Sequence, residues 1–363
     1  MMKVLFVVDF ETSINIIKTQ LELILQLKRK KDVVPFVLGK ISDETKRILT
    51  SENIKYKILF PTKKIDFNYI KEIKGLLKDE NFDVVQFFNG KPARSFLFAV
   101  KNHKPKTVLF MGSISLHWHD PSAYLTFLSP KMDKITCNSK YVFEHVKKQL
   151  LSKNKSKAVL VYEGYSSSWF KDVKAFDYTT LNIPKDAIKV CFVGNHRKVK
   201  GTKYFLESSY HLNSTKEIHY ILIGNKTNIP SLYKIAKSSP NVTKIHFLGL
   251  RNDAVSLIKG ADIYAQTSLS EGFGRAISEA MCVEKPIVMT NAGGCTELID
   301  ESCGIVVPLK DGEAIGKAIS TLANNDTLRI EMGKNAKIRI DTVINTEKTT
   351  EETYQVYAGL LKD

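Results

Sequence analysis

Cysteine is scarce. The five residues Cys137, Cys191, Cys282, Cys295 and Cys303 are an odd set with no Cys-x-x-Cys pair, which argues against a disulfide framework and against a zinc site. A reducing, cytoplasmic setting fits that usage. Long apolar runs are missing too: no window reaches the roughly eighteen uncharged apolar residues of a spanning helix, so any membrane contact is expected to be peripheral. The N-terminal MMKVLFVVDF is apolar only briefly before Asp9 and has no small-residue cleavage site. It reads as a buried strand, not a signal peptide. No Asp-x-Asp, internal repeat or low-complexity tract occurs.

What is present is a chain of 363 residues, 43% of them hydrophobic, long enough for two domains with real cores. The net charge of +16 is uneven: residues 1–165 hold 29 basic and 16 acidic side chains, and residues 166–363 hold 25 and 22, an excess of +13 against +3. This fits an anionic partner for the first part, such as a lipid surface, a phosphorylated acceptor or a nucleic acid. Lysines spread over solvated faces account for it equally well.

Short runs rich in Val, Ile and Phe alternate with longer segments of helical period, the pattern of parallel sheets covered by helices. Strands are expected near 3–8, 33–38, 56–60, 84–88, 107–111, 134–137 and 158–162, then near 189–193, 219–223, 244–248, 262–265, 286–290 and 304–307. Between the first two strands, Ile17, Leu21, Ile24 and Leu25 line one helix face behind Thr12 or Ser13 as a cap. Helix 313–323 carries Ile315, Ala318, Ile319 and Leu322 behind Asp311, and residues 346–361 read as a last helix through Tyr354, Tyr357 and Leu361. The rhythm breaks at 166–186, read as a linker between domains 1–165 and 187–345, with 346–363 able to pack back on the first. Two doubly wound domains would bind a ligand at the carboxyl ends of their strands.

The stretch DIYAQTSLSEGFGRAISEAM, residues 262–281, reads as strand, loop and helix, the helix beginning after Gly274. Gly272 and Gly274 let the backbone approach a ligand, and the N–H groups at the helix start favour an anion. Glu271 in the loop and Glu279 one turn into the helix, on the face of Arg275, flank one pocket with two carboxylates. Both suit the vicinal hydroxyls of a sugar or ribose. On spacing alone, a capping turn and an exposed helix carboxylate remain open. A second constellation, VGNHRKVKG at 193–201, follows the strand KVCFV and puts Arg197 and Lys200 at a strand's carboxyl end. Cations fixed there stabilise a leaving diphosphate; a lysine-rich surface loop is the alternative.

EGFGRAISEAM followed by KPIVMTNAGGCTELI resembles the signature of glycosyltransferase family 4, whose members are retaining enzymes with the two-Rossmann GT-B fold. The Glu-x7-Glu frame, the Pro286–Thr290 strand and the Gly293-Gly294-x-x-Glu297 turn fall in the family's order, and the similarity covers most of 188–325. The resemblance implies that Glu271 contacts the transferred hexose and Glu279 the ribose, and that Gly272, Phe273 and Gly274, with Arg275 and Ile277 nearby, line the diphosphate path. It places Leu250 and Arg251, in FLGLRNDAVSLIKG, on the donor side. Arg197 and Lys200 match the Arg and Lys that relatives carry ahead of a Gly, although Asn195 stands where the Arg usually follows the first Gly. Without Asp-x-Asp, cation duty falls to Lys200, Arg197 and the helix N-terminus. No metal and no cofactor is expected beyond the nucleotide sugar, and the transfer is front-face.

The first domain is expected to serve the acceptor. Its loop MGSISLHWHDPSAYLTFLSP, residues 111–130, offers Gly112 and Asp120, and His117 and His119 are candidates for the histidine with which relatives touch the donor sugar. Packing of a His-Trp-His cluster is the alternative. Asn138 and Ser139 resemble the family's Ser-containing turn. The implied function is transfer of a hexose, with UDP the commonest carrier, to a glycan or lipid-linked acceptor at the cytoplasmic membrane face, as in polysaccharide or lipopolysaccharide assembly. A GT-B nucleotide-sugar epimerase is the enzymatic alternative. Nucleic-acid binding through the basic charge is the non-enzymatic one, but it lacks a recognisable module and no nucleic-acid partner is expected.

Overall fold

The structure, a computed structural model, describes residues 1–12, 14–101, 104–115 and 117–362, Lys30 by its backbone only. Two compact units divide the chain: Met1–Gly164 with Thr346–Asp363, and Tyr165–Asn345. The first runs β1 (Met2–Phe10), α1 (Ile14–Lys30), β2 (Val33–Ile41), α2 (Asp43–Ser51), β3 (Lys55–Ile58), α3 (Phe67–Glu80), β4 (Val84–Phe87), α4 (Gly90–Phe96), β5 (Lys106–Met111), β6 (Lys134–Cys137), α5 (Lys140–Gln149) and β7 (Ala158–Leu160). These seven strands form one parallel sheet in the order β3-β2-β1-β4-β5-β6-β7.

The second unit runs β8 (Ile188–Val193), α6 (Thr202–Ser208), β9 (Ile218–Ile223), α7 (Pro230–Lys237), β10 (Ile245–Gly249), α8 (Ala254–Gly260), β11 (Ile263–Gln266), α9 (Arg275–Cys282), β12 (Ile287–Thr290), β13 (Gly304–Val307), α10 (Gly312–Asn324) and α11 (Asp326–Thr342). Its six parallel strands are ordered β10-β9-β8-β11-β12-β13. In both sheets the order reverses once, between β1 and β4 and between β8 and β11. In sheets of this kind that reversal opens a crevice for ligands at the strands' carboxyl ends. Two such Rossmann-like units are the architecture of the GT-B class.

Every expected strand is present, with shifted ends. β1 continues to Phe10 because it pairs with β2 residue by residue as far as Phe10↔Ile41. β7, an edge strand held only by β6, stops at Leu160. Burial on both sheet faces explains the near-continuous apolar runs: along β1, Leu5 and Val7 enter one core and Val4, Phe6 and Val8 the other. Each fully buried side chain of this size contributes about 1.5–3 kcal/mol. Asp311 caps α10, taking the Ala314 N–H at 2.8 Å. Of the two caps expected for α1, Thr12 or Ser13, Ser13 lies outside the described residues. The sequence pattern does not reveal α11, because it buries only Gly333, Ala336 and Ile340 and has no apolar stripe.

The last helix, α12 (Thr346–Leu360), belongs to the first unit. Tyr357, fully buried, donates its hydroxyl to Gln86 Oε1 at 2.9 Å. Gln26 of α1 donates to Thr346 at 2.9 Å and accepts from Thr350 at 3.0 Å. Residues 166–186 lie in the second unit and are fastened to it: Ser167 donates to Asp341, and Tyr178 donates its hydroxyl to the Leu257 carbonyl. The chain passes between the units at Gly164–Tyr165 and again at Asn345–Thr346.

Asp66 caps α3. It accepts from the Tyr69 N–H at 3.1 Å and from the Thr62 N–H and hydroxyl at 3.0 and 2.9 Å, and these bonds, Tyr69's first, hold its carboxyl down at about 2. A folded-state value below the unfolded one means that the stabilisation is present above the ordinary carboxylate range and is lost as pH falls toward about 2. Asp66→Ala should lower the urea midpoint at neutral pH and flatten the acid-side loss of stability between about pH 4 and about pH 2. An unchanged acid profile would take Asp66 out of it.

Candidate functional site

The loops after β8 and β11, neighbours at the order reversal of the second sheet, meet through their backbones. Gly201 has φ +62°, and a Cβ on it would stand 1.8 Å from the Thr267 carbonyl oxygen. Glycine alone fits there. The contact is fastened by Thr267 Oγ1 donating to the Gly201 carbonyl at 3.0 Å and by the Leu269 N–H donating to the Val199 carbonyl at 2.7 Å. On the far side, the Glu271 N–H donates to Ala292 at 2.7 Å and the Gly294 N–H donates back to Glu271 at 3.0 Å. Three loops thus hold one another by main-chain bonds.

This arrangement puts Lys200 beside Glu271, with Nζ to Oε2 at 2.5 Å and each side chain less than a fifth exposed. Ser268 Oγ also donates to that carboxylate oxygen, at 3.4 Å. Gly274, at φ +110°, is the N-cap residue of α9 and has no side chain with which to cap it. A Cβ on Gly274 would press to 2.8 Å on Ile277. Glu279, half-buried one turn on, and Glu271 both act on the hydroxyl of Tyr264. Burial first, then Cys191 and these two carboxylates, keep that hydroxyl protonated far above its ordinary range. Burial pushes the neighbouring Cys295 thiol up to about 12, so it is not poised as a nucleophile. Cation, carboxylates and helix start together can bind an anionic, hydroxyl-rich ligand.

The structure therefore gathers Lys200, Glu271, Gly272, Gly274 and Glu279 around one sheet reversal. Phe273 and Ile277 are buried, at 2% and 0% exposure, so only their backbones are available to a ligand. Arg275 and Arg197 are exposed at their loop ends. Leu250 and Arg251 follow β10, on the outer edge of the sheet and away from the reversal. Arg251 is forked onto Asp253 at 2.8 and 2.6 Å, so its charge is already matched.

In the first unit, the expected acceptor residues mostly serve the fold. Asp120 accepts from the Ser122 N–H at 2.8 Å, and Ser139 caps α5 by accepting from Val142 at 3.2 Å. The His117 ring stacks on His119 at 5.2 Å and meets His145 edge-on at 5.0 Å; no spacing in the sequence pointed to His145. Gly112 directly follows β5, where a Cβ would press on Phe110 and Asn138. Asn138, 3% exposed, donates to Glu163 at 3.4 Å while its buried Oδ1 has no partner among the described residues. Glu163, also missed in the sequence, accepts from Thr19 at 2.6 Å as well. It borders an open cavity of the first unit lined by Thr19, Gln86, Phe88, Phe110 and Thr353.

Residues 174–339 match the family model described as glycosyl transferases group 1. Over 164 residues it is 31% identical to N,N'-diacetylbacillosaminyl-diphospho-undecaprenol alpha-1,3-N-acetylgalactosaminyltransferase of Campylobacter jejuni, covering 45% of this chain and 42% of that one. The chain therefore spans less than half the length of that relative. It is 23% identical to the capsular polysaccharide biosynthesis glycosyltransferase CapM of Staphylococcus aureus, across 99% of this chain and 98% of CapM. Among solved structures, Anabaena Alr3699/HepE in complex with UDP aligns over 99% of this chain and 100% of its own at 18% identity, with a TM-score of 0.79. That likeness is one of fold.

Gly201→Ala should force the two loops apart. The expected cost is about 1–3 kcal/mol from the left-handed backbone alone, seen as a lower urea midpoint. An unchanged midpoint would mean that the loops do not rest on each other.

Proposed function

We propose that this chain is a retaining, metal-independent glycosyltransferase. It moves a hexose-type sugar from a nucleoside diphosphate sugar, UDP in the first instance, to a glycan or lipid-linked acceptor at the cytoplasmic membrane face. The observation that carries this is the Lys200–Glu271 pair, delivered by two loops at a sheet reversal beside the start of α9, where Gly274 is the N-cap residue. In this mechanism Lys200 and the α9 N-terminus hold the diphosphate and take up the charge that grows on it as the sugar departs. Glu271 holds the sugar's hydroxyls and Glu279 the ribose. Attack comes from the face the diphosphate leaves, with Arg197 completing the cation set. The resemblance of EGFGRAISEAM to the glycosyltransferase family 4 signature supports the retaining course, HepE's UDP supports the base, and the Campylobacter and Staphylococcus relatives support a lipid-linked or capsular acceptor.

A panel of UDP-, GDP-, ADP- and dTDP-sugars tests the donor, because a ligand that binds only the folded protein raises its melting temperature by mass action. One class should shift it. Lys200→Ala and Glu279→Ala should each cut turnover of that donor by at least about tenfold with the fold intact, and full activity in both would remove these residues from the site.

Among the described residues, no helix is long and apolar enough to cross a membrane, so contact with a lipid acceptor's bilayer rests on the basic excess of residues 1–165. Each well-placed Lys or Arg contributes about 1 kcal/mol at an anionic surface, screened by salt. The protein should float with phosphatidylserine-containing liposomes at low salt and be released at high salt. Failure to float at low salt would remove the membrane from the proposal.

A further inference from the structure

Strand β11 is buried on both faces, but the two faces differ in chemistry. Ile263 and Ala265 join the apolar core of the second unit. Tyr264 and Gln266, with Ser268 just beyond the strand, share the other face through their spacing of two. All three are at most 2% exposed. They form a continuous ladder. The Tyr264 hydroxyl donates to Gln266 Oε1 at 2.7 Å, with the Val193 carbonyl at the end of β8 3.4 Å away. Gln266 Nε2 donates to Ser268 Oγ at 2.7 Å, and Ser268 Oγ donates to Glu271 Oε2 at 3.4 Å, where Lys200 Nζ also donates. Thr290 of β12 pins the ladder's upper end, donating its hydroxyl to the Ser268 carbonyl at 2.5 Å.

Apolar side chains would satisfy a doubly buried strand at lower risk, since a buried polar group costs about 1–3 kcal/mol whenever its partner is missing. Here each polar atom of the ladder has its partner, and the direction of donation ends on the carboxylate. The phenol's hydroxyl remains protonated, so the first donor of the series is permanent.

We infer that Tyr264, Gln266 and Ser268 are positioning residues that fix the Glu271 carboxylate, and through it the Lys200 ammonium, in the geometry used for the transferred sugar and the leaving diphosphate. The inference rests on the glycosyl-transfer function proposed above. It assigns the ladder no contact with the ligand, only the orientation of two groups that have one.

Ser268→Ala removes the last rung, Tyr264→Phe removes the first without changing volume, and Ser268→Thr keeps the hydroxyl. With the nucleotide sugar that stabilises the wild-type chain most, Ser268→Ala should lower kcat about tenfold and Tyr264→Phe about threefold, while Kd for UDP stays within about twofold, because reorientation costs the transition state more than product binding. Ser268→Thr should keep at least half of kcat. A role confined to stability would lower the melting temperature and leave kcat of the folded enzyme unchanged, and that result would overturn the inference. Crystal structures of wild type and Ser268→Ala separate the two claims. If no nucleotide sugar is turned over or bound, the transferase proposal fails, and the ladder stands if the Glu271 carboxylate has moved in Ser268→Ala. An unmoved carboxylate there overturns the ladder whatever the activity.

Discussion

The backbone of Gly201 lies against the carbonyl of Thr267 with no room for a methyl group, and the candidate site depends on that contact. It brings the end of the β8 loop over the start of the β11 loop, so that a lysine and a glutamate 71 positions apart in sequence share one hydrogen bond. The Glu271–Gly293 bridge ties the β12 loop to the same point. Main-chain bonds of this kind are stiff and leave little room for the loops to drift apart, which is what a site needs if it is to hold a charge-developing group without reorganising.

The paired charges are a compromise. Lys200 and Glu271 are both mostly withdrawn from water, where an isolated ammonium or carboxylate would cost several kcal/mol, and each relieves the other. Such a pair is weak evidence for stability. Under the proposed function it is a resting state: a bound diphosphate would offer Lys200 a second acceptor, and sugar hydroxyls would offer Glu271 donors in return. Serine and helix-start N–H groups nearby keep the environment polar while the pair is shared.

The first unit uses its polar residues differently. Asp66, Asp120 and Ser139 cap helices or turns, and Gln26, Gln86, Thr346, Thr350 and Tyr357 bind α12 to α1 and the sheet. The exceptions are Asn138, whose buried carbonyl oxygen has no partner among the described residues, and Glu163, held at the rim of a cavity. Acceptor sites built from isolated side chains on several loops leave no local pattern, whereas a donor site built on a strand-loop-helix turn does.

That contrast marks how far the linear order of residues reaches. It marked thirteen parallel strands, most of them as runs of Val, Ile and Phe because their side chains are buried on both faces, and it marked the Gly-rich loop with Glu271 and Glu279, because a close backbone approach before a helix start requires glycine there. It did not reveal α11, which has no apolar stripe, or the capping roles of Asp120 and Ser139. Nor did it bring Lys200 to Glu271, set His145 edge-on to His117, or turn Tyr264, Gln266 and Ser268 into a ladder. Those depend on which strands become neighbours. Hydrogen bonds across a sheet are short-ranged and blind to sequence separation, so only the tertiary structure decided them.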